Sequence, residues 1–192
     1  MKTYQVITAA TTYRISLTEA KSHLKVDTSA DDTYIESIIK AATQLSEEYT
    51  NRFFINTTID QTCSDFKDLE TLFKSKVNDV QYVKYYDADN TLQTLDDTIY
   101  DKMLSYEPSQ IQLAKNKTFP DITKRNDAVI CRYTVGYGSS ASDVPEIIKQ
   151  AILLTIGNFY ENRNSVIIGR IATELPQNVK WLLDTYKVQI VG

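Results

Sequence analysis

Pro145-Glu146-Ile147-Ile148-Lys149-Gln150-Ala151-Ile152-Leu153-Leu154-Thr155-Ile156-Gly157-Asn158-Phe159-Tyr160 is the stretch on which the fold turns. Pro145 is pre-organised for a first helical turn, and Asp143 just upstream is a candidate cap. Beyond them, Ile147, Ile148, Ala151, Ile152, Leu153, Leu154, Ile156, Phe159 and Tyr160 cover nearly every face of a helix. A helix apolar all round is buried on several sides, by its own chain or by a neighbour.

Working outward, residues 162–173 read as a connector, and a short last helix begins near Leu175-Pro176 with Val179, Leu182, Leu183 and Tyr186 as its apolar stripe. The N-terminal end is helical in the same way. Ser16-Leu17-Thr18-Glu19 has the form of a capping box, in which hydroxyl and carboxylate satisfy the free amides of a helix start, and it predicts a short helix to about Val26. After the polar break at 27–30, Asp31 and Asp32 sit where a helix N-terminus favours negative charge. Tyr34, Ile35, Ile38, Ile39, Ala42, Leu45, Tyr49 and Phe53 then recur at the spacing of an amphipathic helix.

Between these ends the texture is β. Val129-Ile130-Cys131-Arg132-Tyr133-Thr134-Val135 alternates and is rich in β-branched and aromatic residues, which predicts a strand. Val80–Tyr86, the turn Asp87-Ala88-Asp89-Asn90 and Thr91–Leu95 predict a hairpin. Weaker strands are expected at 57–66 and 109–114, and a long exposed loop from 115 to 127 around Pro120. The expectation is an α+β chain. Residues 1–55 and 143–192 form a helical domain, with a β-rich insertion at 56–142 between its two segments.

Composition bounds the function. The chain has 192 residues, 21 Lys+Arg against 25 Asp+Glu and a formal net charge of −4. Such a chain can bury a core without disulfide or metal, and it offers no global field for wrapping nucleic acid. The acidic excess sits in the middle: residues 53–143 carry 10 basic and 14 acidic groups. No stretch approaches the ~18 apolar residues of a membrane span, and the N-terminus does not read as a signal peptide. Cys63 and Cys131 suit a reducing cytoplasm, and the sequence leaves open whether they meet. Tyrosine is the unusual component at thirteen residues, and phenols are favoured on half-buried surfaces such as interfaces.

Chemistry finds little support. The sole histidine, His23, lies in the first short helix without a nucleophile or acid that the sequence can pair with it. No metal-ligand spacing is present, and the pairs Asp96-Asp97 and Glu47-Glu48 are adjacent residues that point different ways. Gly136-Tyr137-Gly138-Ser139-Ser140 follows a strand and precedes a helix but lacks the Lys-Ser/Thr of a phosphate loop. Lys115, Lys117, Lys124 and Arg125 make a locally basic loop diluted by Asp121 and Asp127. Arg163 and Arg170 flank Val166, Ile167 and Ile168, apolar residues that need cover in a polar connector. No catalytic residue, metal site or cofactor is expected.

Five landmarks in order resemble the head-tail connector, or adaptor, family of long-tailed bacteriophages, in its longer branch. They are Ile15–Asp27, the Asp31-Asp32 start, the helix ending Glu47-Glu48-Tyr49-Thr50-Asn51-Arg52, the Val144–Leu154 helix running into Tyr160-Glu161-Asn162-Arg163, and Leu175-Pro176 with Val179, Leu182, Leu183 and Tyr186. The match covers both helical ends; in the middle it extends only to the presence of an insertion.

The resemblance implies a non-enzymatic virion protein made in the bacterial host cytoplasm. It would assemble as a homo-oligomeric ring, a dodecamer, under the portal protein at the capsid vertex. That ring would extend the channel for double-stranded DNA, which passes without specific binding, and dock a stopper or tail-completion protein. No membrane is involved. Tyr160, Arg163, Ile167, Ile168, Arg170 and Tyr186 are the candidate contacts to the portal or a neighbouring subunit, and the tyrosine-rich insertion is expected to face outward toward partners. The alternatives are another neck component, itself a stopper or tail-completion protein, or a DNA-packaging or DNA-binding factor.

Overall fold

The computed structural model describes residues 2–163 and 175–189. They form four helices and seven strands in two compact units, an α+β architecture.

The first unit comprises residues 1–10, 51–137 and 188–192. Its centre is an antiparallel pair, β2 (Thr57–Cys63) and β7 (Val129–Val135), in which Ile59 faces Tyr133, Gln61 faces Cys131 and Cys63 faces Val129. Both strands bury every second residue, because successive side chains point to opposite faces. β3 (Val77–Tyr86) pairs with the other edge of β7, and β1 (Lys2–Thr8) and β4 (Leu92–Thr94) complete the order β1-β2-β7-β3-β4. The hairpin of β3 and β4 matches the expected one, with Lys84 opposite Thr94. A separate hairpin joins β5 (Tyr100–Met103) to β6 (Gln110–Leu113).

The core of this unit gathers Ile59, Leu69, Leu72, Val83, Ile111, Val129 and Cys131. Tyr133 is fully buried among them, and its single hydroxyl proton is shared between Gln61 Oε1 at 2.7 Å and, more weakly, the Phe73 carbonyl at 3.2 Å. Gln61 completes the set by accepting from the Phe73 amide and donating to the Thr71 carbonyl, so the buried polar groups are satisfied. On the opposite face Arg132 forms a two-point ion pair with Asp60, its cross-strand partner, at 2.6 and 2.7 Å.

Three differences from the sequence reading have physical causes. Residues 2–8 belong to the sheet rather than to a helical end, and Tyr4 on this strand packs edge-on to Phe53 and beside Phe73, with the buried Lys74 ammonium over the Tyr4 and Phe53 rings. Phe53 therefore lies off the long helix, which stops at Thr50 where Asn51 takes a left-handed conformation (φ 55°), one that Asn tolerates. The 115–127 segment is irregular, as expected, but not wholly exposed: Phe119 stacks on Phe66 at 4.4 Å and Ile122 packs on the same core.

The second unit comprises residues 11–50 and 138–187. α1 (Leu17–Leu24) opens with the expected capping box between Ser16 and Glu19 and closes on Lys25 in the left-handed region. α2 (Asp32–Thr50) buries Ile35, Ile38, Ile39 and Ala42, then Thr43, Ser46 and Thr50. α3 (Glu146–Glu161) buries Ile148, Ala151, Ile152, Leu153, Thr155, Ile156 and Phe159. α4 (Gln177–Asp184) turns Val179 and Leu183 inward. Asp143 does not cap α3. It forms a second capping box with Ser140 on the short turn before it, and Pro145 precedes α3 without a side-chain cap.

Candidate interaction surface

The end of α3 is held by a cluster of four side chains. The Arg163 guanidinium lies 4.7 Å from the Tyr34 ring centroid and 4.9 Å from that of Tyr160. Its Nη2 donates to Asp31 Oδ2 at 2.9 Å, and the Tyr160 hydroxyl donates to the same oxygen at 2.7 Å. The Tyr34 hydroxyl donates to the Phe159 carbonyl at 3.0 Å, an acceptor in the last turn that has no partner within the helix. The Tyr160 hydroxyl, and then Arg163, hold the Asp31 carboxyl below its ordinary range, while that carboxylate raises both the Tyr160 phenol and Arg163. Two residues singled out in the sequence, Tyr160 and Arg163, are thus brought together, with Asp31 and Tyr34 as partners the sequence reading did not assign. Ile167, Ile168 and Arg170 lie outside the described residues.

The starts of α1 and α3 are linked by charge. Lys149 bonds Glu19 at 2.8 Å, and the buried Arg14 bonds Glu146 at 2.8 Å. The Lys149 bond, with the Ser16 amide next, draws the Glu19 carboxyl down to about 2. At the other end of the unit the Tyr49 hydroxyl donates to Asp184, which raises that phenol to about 12, and Lys187 sits 4.5 Å over the Tyr49 ring. Tyr186 follows two residues beyond α4 and is half-buried.

Trp181 on α4, which the sequence reading does not assign to any surface, is 68% exposed. Its signal was available: it is the chain's only tryptophan and falls outside the apolar stripe of its helix. Ile147 and Leu154 of α3 are also exposed, at 44% and 36%. They are seven residues apart and so share a helix face.

The other motifs have structural explanations. His23 is exposed on α1, beside a polar cleft of about 410 Å³ in which Glu161 is the single carboxylate among the described residues. Gly136 has a φ of +137°, and a Cβ there would lie 2.7 Å from the Asn56 nitrogen. A Cβ on Gly138 would meet the Asp143 side chain. Gly136 permits close backbone packing and Gly138 makes room for the Asp143 side chain, and the Ser140 amide is taken by Asp143. In the basic loop Arg125 stacks 3.6 Å over Tyr86 and forms a two-point pair with Asp127. Among the described residues no group of three or more His, Cys, Asp or Glu is placed to hold a metal, and no helix is long and apolar enough to cross a membrane.

Comparison with known families supplies the decisive observation. Residues 14–117, just over half of the chain, match the model described as phage gp6-like head-tail connector protein. The chain belongs to that family. It is a head-tail connector, a structural and non-enzymatic component of a phage-like particle. Whole-chain structural likeness extends beyond the matched segment. A chain from the neck of an empty gene transfer agent particle, computed with C6 symmetry, superposes with a TM-score of 0.78 at 19% identity, covering 98% of this chain and 97% of that one. A chain from the virion of a native gene transfer agent particle gives 0.74 at 22% identity, with 98% and 96% covered. One from the neck of a native particle, computed with C12 symmetry, gives 0.74 at 20% identity, with 98% and 97% covered. At these identities the likeness is one of fold, and it includes the β-rich middle of the connector as well as its helical ends. No curated protein matches the chain in sequence.

Proposed function

We propose that this connector assembles as a closed homo-oligomeric ring of twelve copies in the neck, beneath the portal protein at the capsid vertex. The ring extends the DNA channel and docks the next neck component, a stopper or tail-completion protein. The observation that carries this reading is membership of the head-tail connector family together with a fold shared, over nearly the whole chain, with proteins from particle necks of C6 and C12 symmetry.

Physical features of the chain support it. A net charge of −4 suits a conduit through which DNA slides, since tight holding needs Lys/Arg on phosphates. The helical segments build the ring wall, and the β-rich residues 56–142 form an outward insertion that meets partners. The connector at 162–173, with Arg163, Ile167, Ile168 and Arg170, and the tail after Tyr186 contact the portal or a neighbouring subunit.

The test is light scattering and electron microscopy of the purified chain alone and with the portal, followed by cross-linking. Rings that cross-link to the portal support the reading. A lasting monomer that never binds it overturns it. A salt-sensitive shift of duplex DNA by the free protein would argue instead for a DNA-binding factor.

A further inference from the structure

The helical unit carries two surface features of opposite shape. One is Trp181, 68% exposed on α4. The other is an open groove of about 720 Å³ between the start of α1 and the middle of α2. Ile15 and Ile39, both buried, floor it, while Tyr13, Leu17, Glu36 and Lys40 also line it. Its volume lies in the ~300–1,000 Å³ range of clefts that enclose sizeable ligands, so it is roomy enough for an indole.

An indole that exposed does not occupy the groove of its own chain. The two features also lie toward opposite ends of α1: Ser16 and Leu17 line the groove, whereas His23 lines the cleft shared with Leu154 and Asn178, and Asn178 is one turn from Trp181. A protruding group on one face and a receptor on another define a heterologous contact, the kind that repeats head to tail and closes into a ring. Charge is compatible with such a contact. Glu36 and Lys40 lie one turn apart beside Ile39, and Lys180 and Asp184, the latter already accepting from the Tyr49 hydroxyl, lie one turn apart around Trp181, so neither side sets an unbalanced charge against the other.

We propose that the occupant of this groove is Trp181 of a second copy of the same chain, and that this contact is a principal joint between neighbouring subunits. The proposal rests on the ring reading above. Tryptophan is favoured at the centre of interfaces because its large apolar surface is desolvated in one pocket.

Trp181 is the only tryptophan in the chain, so the intrinsic fluorescence of the chain, excited beyond tyrosine absorption, reports on the surroundings of this one side chain. The experiment follows emission and acrylamide quenching of the full chain through a concentration series, with light scattering in parallel and the portal added where the free chain stays monomeric. Two variants accompany it: Trp181→Ala, and Tyr13→Asp at an exposed position of the groove, each checked for an unchanged circular dichroism spectrum. The expected result is a blue shift and a loss of quenching on assembly, with assembly weakened about thirtyfold in each variant, the size of a hot-spot truncation. Mixing the two variants leaves one intact joint, Trp181 of the Tyr13→Asp chain in the groove of the Trp181→Ala chain, and yields a one-to-one pair instead of a ring. Rings that form with Trp181 still quenchable, or with equal affinity in Trp181→Ala, overturn this joint and leave the ring reading standing. A chain that stays monomeric even with the portal overturns both.

Discussion

Arg163 donates to Asp31 at 2.9 Å across 132 residues of sequence, with its guanidinium covering the adjacent rings of Tyr34 and Tyr160. The contact ties a residue just beyond the end of α3 to the residue that precedes α2. It makes Arg163→Ala a local rather than a global lesion. Amides at 158–162 should exchange roughly three- to fivefold faster by hydrogen-exchange mass spectrometry, with the thermal midpoint nearly unchanged. Arg163→Lys should restore only part of the protection, because an ammonium keeps the charge but not the planar stacking surface. Unchanged exchange in Arg163→Ala would show that the clamp holds nothing.

The Glu19 carboxyl predicts a direction for acid sensitivity. Its folded value, about 2, lies below its ordinary 4.5. A depressed carboxylate adds stability that is fully present above the ordinary value and is lost as pH falls through the folded one. Glu19→Gln should therefore flatten the dependence of the urea midpoint between pH 5 and pH 2 relative to the native chain, and lower it at pH 7. A mutant with the same slope as the native protein would refute the assignment.

Gly136→Ala should destabilise the protein by about 2 kcal/mol or more. The residue combines a φ of +137° with a Cβ position 2.7 Å from the Asn56 backbone nitrogen, so the substitution adds a steric clash to a strained conformation. Chemical denaturation measures it, and a loss below about 0.5 kcal/mol would contradict the close approach.

Tyr133→Phe removes one hydroxyl from a fully buried site and leaves Gln61 Oε1 and, to a lesser degree, the Phe73 carbonyl without that donor. The expected cost is about 1–2 kcal/mol in equilibrium unfolding. Gln61 keeps its bond from the Phe73 amide, so the sheet should persist, seen as an unchanged far-ultraviolet spectrum. A neutral substitution would mean that water satisfies the two acceptors.

Both thiols should be inert in the native state. Burial pushes Cys63 up to about 12 and Cys131 well above its ordinary value, and neither is in a disulfide. The thiolate is the reactive form, so Ellman's reagent should label neither cysteine at pH 8 until denaturant is added, and then both. Rapid labelling without denaturant would show that this core opens locally.

Local patterns were legible where one residue type decides one conformation. Ser16 and Glu19 give the start of α1 because the capping bonds span three residues. Val129–Val135 gives β7 because a strand with one buried face must alternate. The order of these landmarks also identified the family. The strand at Lys2–Thr8 was not legible, since its exposed-leaning pattern carries no strong period and its pairing with β2 is made some 60 residues away.

The α3 sequence shows the division most clearly. Its apolar residues determined that the helix is buried on most sides, which follows from the cost of hydrating them. Which of them remain exposed, Ile147 and Leu154, depends on where other helices pack against it. In the same way Tyr160 and Arg163 were recognisable as candidates from their place in the chain. Their joint hold on Asp31, and the solvent-facing position of Trp181, exist only once distant segments are brought together, because hydrogen bonds and burial act over a few ångströms of space and not along the sequence.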